Sequence, residues 1–256
     1  MAVSASKNPL FYSIGSRLRI PYFLSEVDNL GANINSLDLG CGIGFFSSIL
    51  ADRGSCVYAL DPDQLSIDKA KELYSDSKIT FISSSAENIP LDDNLIDFFV
   101  CSEVLEHVKD LDKTLQELVR VSNDGAGFFI TVPSLGIFKE LFLDIGHSDE
   151  NVYEQHMRPM FDKRGIEEIL KKYNFQIEKS FYSKFFISEI FMGLTKIIHN
   201  LKKKKEISGQ HDIISPPMIY KIIFPLVYFI CRIEDIVLRY LPLPGHMIIV
   251  SGKIKK

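Results

Sequence analysis

Short apolar runs alternate with helical periodicity through the first two-thirds of the chain. Ile34–Leu39 is an apolar run stopped by glycines, and Phe45–Arg53 then reads as a helix. Cys56–Leu60 is a second apolar strand, ending at Asp61-Pro62, with a helix predicted over Gln64–Tyr74. Strands follow at Lys78–Ile82 and at Leu95–Cys101, whose centre is Phe98-Phe99-Val100. Leu111–Val121 carries apolar residues at 111, 115, 118 and 119, which is helical spacing, and Ala126–Val132 is a fifth strand. A helix over Arg164–Tyr173 and a strand from Phe175 continue the alternation. Near-continuous apolar strands separated by helices predict an α/β fold with a parallel sheet covered on both faces.

The pattern changes after residue 184. Phe185–Leu201 has apolar positions at 186, 187, 190, 191, 194, 197 and 198, and polar ones at 188, 189, 195, 196, 199 and 200. Lys202–Lys205 and a polar, Pro-containing linker lead to a second very apolar helix, Met218–Leu241, which Pro225 is expected to kink or interrupt. Its non-aliphatic positions Lys221, Pro225, Tyr228, Arg232, Asp235 and Arg239 trace one narrow stripe. The charge-free run Ile222–Cys231 falls well short of the roughly 20 residues that spanning a bilayer needs, so the segment is not read as transmembrane. Two helices with wide apolar faces beside a lysine run fit an interfacial membrane element. A helical lid or a dimer surface is the competing reading. A last strand is predicted over Gly245–Gly252.

Composition adds three constraints. With 46% hydrophobic and 24% charged residues the chain has ample material for a core. The net charge of −4 hides an asymmetry: residues 184–256 carry 12 Lys/Arg against 5 Asp/Glu, a net +7, and residues 1–183 carry 17 against 28, a net −11. So acidic a main body argues against nucleic-acid binding, which needs clustered cations. The four cysteines show no CxxC pair and read as reduced, individually buried thiols. The N-terminus has no basic head followed by an apolar run, so the catalytic body is expected in the cytoplasm, with peripheral contact at the inner face of the membrane through 185–244.

The candidate chemistry starts at Leu37-Asp38-Leu39-Gly40-Cys41-Gly42-Ile43-Gly44. A strand end followed by Gly40, Gly42 and Gly44 lets a ligand approach backbone N–H groups that side chains would shield. Asp61, about twenty residues on, ends the second strand, where a carboxylate can accept from two ribose hydroxyls. The spacing is GxGxG rather than the GxGxxG of dinucleotide sites. Asp38, just before the first glycine, suits the ammonium of an amino-acid cofactor and would repel a pyrophosphate.

These stretches, with ALDPD at 59–63, AENIPLDDNLIDFFVCSEVLEHVKD at 86–110 and FFITVPS at 128–134, resemble the class I S-adenosylmethionine-dependent methyltransferases, specifically the group of quinone-biosynthesis and small-molecule enzymes. The resemblance covers residues 34–183 and resumes at 245–253. It implies a Rossmann-like seven-stranded, mostly parallel sheet with helices on both faces. Strand six would span 175–184 and an antiparallel strand seven 246–252, with an α-helical insertion at 185–244 between them. The chain then divides into an N-terminal helical segment (1–33), a cofactor-binding domain (34–184 and 245–256) and that insertion. Asp38, Gly40, Gly42 and Gly44 would contact the methionine portion of S-adenosylmethionine and Asp61 the ribose. Pro62 or Asp63 would flank the adenine, Ala86 and Glu87 would line its pocket, and Ser102 and Glu103 would lie near the reacting methyl. The group often has Asp where Ser85 stands here, and a hydroxyl holds the adenine amine more weakly.

Methyl transfer requires alignment and, for many acceptors, a base. Glu103, Glu106 and His107 after strand four, and His147 and His156 after strand five, are candidates, with Glu103, His107 and His156 preferred. His107 also has a bland reading, as a brace for its loop. Glu103-x-x-Glu106-His107 resembles the ExxEH element of metal-dependent methyltransferases acting on small RNAs and on quinone hydroxyls, yet the string is widespread without a metal, and no metal is assigned. The expected acceptor is small and hydrophobic or lipid-linked, methylated on O or C. Metal-assisted RNA or other 2′-O-type methylation, and a non-catalytic cofactor-binding or membrane adaptor, remain the alternatives.

Overall fold

A computed structural model of the chain describes residues 4–28, 30–31, 33–75, 78–134, 160–191 and 218–256. Two short 3₁₀ turns, Ser4–Lys7 and Pro9–Tyr12, precede α1 (Ile14–Val27). Then come β1 (Asn35–Leu39), α2 (Phe45–Ala51), β2 (Cys56–Asp61), α3 (Gln64–Leu73), β3 (Ile79–Ser83) and β4 (Ile96–Ser102). The order continues through α4 (Leu111–Val121), β5 (Ser122–Pro133), α5 (Lys163–Lys172), β6 (Phe175–Ser183), α6 (Met218–Leu238) and β7 (Met247–Ile254). The helices begin where a carboxylate can take up free N–H groups: Asp63 opens α3, Asp110 opens α4 and Asp162 opens α5, each accepting from the first turn.

The strands form one seven-stranded sheet in the order β3-β2-β1-β4-β5-β7-β6. β7 runs antiparallel between β5 and β6, and the first five strands pair in parallel. The chain thus carries the Rossmann-like sheet that the sequence pattern implies. β4 explains its own apolar run, because it is buried on both faces. Phe98 and Val100 point into the layer with α1 and α2, while Phe99 and Cys101 point into the layer with α4. α1 belongs to that first layer: the Phe23 ring packs edge-on against Phe46 and Phe129 and tilted against Phe98.

Three local expectations are revised. α6 runs as one helix through Pro225 and ends at Leu238, three residues earlier than the pattern suggested. β5 starts four residues earlier than expected, at Ser122. Cys56 is exposed, at the start of β2, while Cys41, Cys101 and Cys231 are free and buried. Of the first insertion helix, residues 186–191 are helical; the rest of it and Lys202–Lys205 lie outside the described residues.

α6 packs on α1, with Phe224 and Cys231 meeting Ile14 and Leu18. Its contact face combines these apolar residues with part of the polar stripe. Asp235 is fully buried, accepting from the Tyr22 hydroxyl, from Ser183 Oγ at 2.6 Å and from the Lys184 N–H at 3.1 Å, and pairing with Arg232 at 2.9 Å. Arg17 lies 4.8 Å from the Tyr228 ring centroid. The outward face carries Ile222, Ile223, Leu226, Phe229, Ile230, Ile233, Ile236 and Val237, all exposed. The helix is thus turned with much of its polar stripe toward protein and an apolar face away from it. No helix among the described residues is long and apolar enough to cross a membrane.

Candidate functional site

The carboxyl ends of β1, β2 and β4 lie side by side, with Leu39 paired to both Leu60 and Cys101. β1 is flanked by β2 on one side and β4 on the other, so the chain winds away from it in both directions. Such a switch point opens a crevice beyond the strand ends.

Gly40, Gly42 and Gly44 all have positive φ, at 71°, 50° and 78°, a backbone that disfavours other residues. Their surroundings differ. A Cβ on Gly40 would overlap the Val104 side chain, and one on Gly44 would lie 3.1 Å from the Tyr74 ring. A Cβ on Gly42 would meet nothing, so that turn faces open space which a side chain would fill. Asp61 ties the turn to β2: its Oδ2 accepts from Gly42 N at 2.8 Å and its Oδ1 from Asp63 N at 2.9 Å. Burial raises the Asp61 carboxyl above the usual range, and those two N–H groups oppose the shift.

Asp38 is almost completely buried behind the turn and accepts from Ser47 Oγ. Desolvation pushes its carboxyl up to about 7, the Ser47 contacts only partly offsetting it. A cationic ligand group beside it would restore the charged form. On the far side of the turn, buried Asn8 donates to the Ile43 carbonyl at 3.0 Å and to the Tyr74 hydroxyl at 3.2 Å, so the N-terminal segment holds the glycine turn from outside. The open space at Gly42, the Asp61 carboxylate at the end of β2 and the buried Asp38 behind the turn make a set of groups that fits S-adenosylmethionine.

The remaining predicted residues divide. Ala86 is buried in the core layer with α4, and Pro62 is exposed at the end of β2. The Glu87 carboxylate accepts from the N–H groups of Lys109 at 2.9 Å and Asp110 at 3.4 Å, bracing the entry to α4. Ser102 and Glu103 end β4 beside Thr131: the two hydroxyls are 2.9 Å apart and Thr131 Oγ1 lies 3.3 Å from Glu103 Oε1. Glu103 has φ +58°, a strained backbone for a residue with a side chain, held by its N–H bond to the Thr131 carbonyl. Glu106 is enclosed, with burial and the neighbouring Glu103 raising its carboxyl to about 8. His107 is more exposed, 3.7 Å from Glu106. No group of three His, Cys, Asp or Glu among the described residues is arranged to hold a metal ion. His147 and His156 lie outside the described residues.

Sequence reasoning missed Ser47, Asn8, Thr131 and Arg19. Arg19, on α1, donates to Ser102 Oγ at 3.0 Å and lies 3.4 Å from the Glu103 carboxylate. Only the N-cap pattern of Asn8 before Pro9 carried a local signal, and that signal concerns a turn rather than a site.

The fold and crevice define a Rossmann-like domain of the class I methyltransferase type. Residues 37–130 match the family described as "Methyltransferase domain". The chain is 31% identical over 129 residues to the biotin biosynthesis bifunctional protein BioHC of Cellvibrio japonicus, covering 50% of this chain and 24% of that protein. It is 30% identical over 133 residues to the ubiquinone biosynthesis O-methyltransferase of Vibrio vulnificus, covering 50% of this chain and 56% of the relative. A ubiquinone biosynthesis O-methyltransferase of Rickettsia bellii matches at 25% identity over 210 residues, 77% of this chain and 79% of that one. Among solved structures, the Haemonchus contortus phosphoethanolamine N-methyltransferase 2 complex with S-adenosylhomocysteine superimposes with TM-score 0.63 at 17% identity, over 99% of this chain and 57% of the other. The first matched stretches thus span only about a quarter to a half of those relatives. Residues 37–130 thus match a methyltransferase domain, and the groups around the crevice fit S-adenosylmethionine.

Proposed function

We propose that the chain transfers the methyl of S-adenosylmethionine to a small, hydrophobic or lipid-linked acceptor, on O or C, from a peripheral position at an anionic membrane surface. The bound cofactor would supply a methyl on a sulfonium, already activated for displacement. The chain's own residues would bind and align. The Gly40–Gly44 turn and Asp38 would hold the amino-acid end, Asp61 the ribose hydroxyls, and Pro62, Ala86 and Glu87 the adenine side. Glu103, 29% exposed and strained at the end of β4, would accept the acceptor's proton. His107 and His156 are further candidates for that proton.

The observation that carries the acceptor class is the outward apolar face of α6. Ile222, Leu226, Phe229 and Ile233 recur at helical spacing, and each is 48–70% exposed. Exposed apolar surface of that continuity marks an interaction surface. The basic balance of residues 184–256 adds attraction to anionic lipid. Relatives named for ubiquinone O-methylation favour a prenylated catechol within this class. RNA is the weaker reading, because residues 1–183 carry a net −11.

The test uses S-adenosylmethionine labelled on its methyl, a short-chain prenylated catechol in anionic vesicles, and total RNA in a parallel reaction. Label is expected in the organic phase and absent from RNA. Label in RNA alone, or in neither, overturns the proposal.

A further inference from the structure

Arg19 stands apart from every residue that the sequence motifs single out. Its helix, α1, covers the sheet face behind the glycine turn, yet the side chain reaches across to the ends of two strands, β4 and β7. Nη1 donates to Ser102 Oγ of β4 at 3.0 Å, Nε to Met247 Sδ of β7 at 3.1 Å, and Nη2 lies 3.4 Å from Glu103 Oε2. The guanidinium is 12% exposed and the carboxylate 29%. Charge pairs so enclosed are screened far less than surface pairs, and the arginine fork fixes geometry as well as charge.

Two carboxyls compete at this end of β4. Glu106 is 1% exposed, enclosed by protein. Glu103 reaches solvent and is gripped from two sides, by Arg19 at one oxygen and Thr131 at the other. The charged groups beside it are Arg19 from α1 and Glu106 from its own loop; its neighbour from β5, Thr131, carries no charge.

We propose that Arg19 is a positioning residue that fixes the Glu103 carboxylate on the acceptor side of the site, so that Glu103 rather than Glu106 takes the acceptor's proton. In that step the acceptor's X–H bond breaks, its electron pair forms the bond to the methyl carbon, and the carbon–sulfur pair leaves with the sulfur. The proton ends on a Glu103 oxygen. The proton-transfer half rests on Glu103 acting as the base; the positioning half does not.

The experiment compares wild type with Arg19→Gln and Arg19→Lys in protein labelled with [5-¹³C]glutamate, Glu103→Gln assigning the carboxyl signal. Arg19→Gln should displace and broaden the Glu103 signal while leaving S-adenosylmethionine affinity, measured by calorimetry, within about twofold. With the prenylated catechol it should lower kcat by about 100-fold, the cost of a small misplacement of a reacting group, at unchanged KM for the cofactor. Arg19→Lys should recover part of both. A Glu103 signal unmoved in Arg19→Gln overturns the proposal. So does cofactor affinity falling as far as kcat, which would make Arg19 a cofactor ligand. If the catechol is not methylated by wild type, the acceptor reading fails while the carboxyl signal still decides on Arg19.

Discussion

Replacing Asp38 by asparagine separates what the site costs the fold from what it gives the ligand. In the ligand-free protein this carboxyl is fully buried, and its pKa rises from 3.8 to about 7. The native state therefore holds the proton over a range where the unfolded chain has released it. Stability is complete below the unfolded value and declines as pH rises toward the native value. The full interval corresponds to about 4 kcal/mol at 1.36 kcal/mol per unit. Asparagine keeps a carbonyl to accept from Ser47 and never ionises. Asp38→Asn should thus be more stable than wild type without cofactor, the gap widening by about 3 kcal/mol between pH 5 and pH 8. Urea unfolding at the two pH values measures it. Saturating S-adenosylmethionine should reverse the order, because a ligand stabilises only the protein that binds it and the ammonium needs the carboxylate. A gap that does not change with pH, or that narrows as pH rises, refutes the argument, since Asp38 would then carry its charge without cost.

The glycine turn offers a paired contrast. Gly40→Ala should unfold at lower urea by about 2 kcal/mol or more, from its positive φ and the overlap with Val104. Gly42→Ala should cost only about 1–2 kcal/mol from its φ yet weaken cofactor binding in calorimetry by at least about tenfold, because its Cβ enters open ligand space. Asp235→Ala, which strands the Tyr22, Ser183 and Arg232 partners, should lower stability by about 3–5 kcal/mol and release amide protection in α6 first. Leu226, Phe229 and Ile233 changed together to serine should leave the unfolding midpoint in place and lower binding to anionic vesicles by about 3 kcal/mol in sedimentation; equal binding would sink the membrane reading.

The sheet was legible because its strands are buried on both faces. A run such as Phe98-Phe99-Val100 has no other stable setting beside helices of period 3.6. The placement of Asp38, the glycines and Asp61 together at adjoining strand ends was legible because those ends are close in sequence to their turns. Arg19 was not, since its partners Ser102 and Met247 lie 83 and 228 positions away, and a lone arginine in a helix looks like a solvated charge. Ser47 and Thr131 failed for a related reason. Each is a small hydroxyl within a regular element, and only the fold brings it to the carboxylate it bonds. The mixed exposure of the cysteines was not legible at all, because Cys56 is as apolar as its neighbours in β2 and differs only in standing at the first, exposed position of the strand.

α6 reverses the usual inference from amphipathicity. A helix that is apolar around most of its girth with one thin polar stripe would ordinarily bury the wide face and leave the stripe to water. Here Asp235 is the most enclosed polar residue of the stripe, and Ile222, at 70%, is among the most exposed residues of the helix. The thinness of the stripe makes sense once it is read as the attachment to the body. The hydrogen bonds to Tyr22, Ser183 and Lys184 need only a narrow line of contact, and they fix the helix rotation more sharply than interchangeable aliphatic packing would. A merely misplaced amphipathic helix would have no reason to bury a carboxylate and satisfy it so fully. The outward apolar face is therefore a built surface, and the helix that bears it is anchored to α1, which carries the Asp235 partner Tyr22 and the Glu103 partner Arg19 less than one turn apart and so links that face to the end of β4.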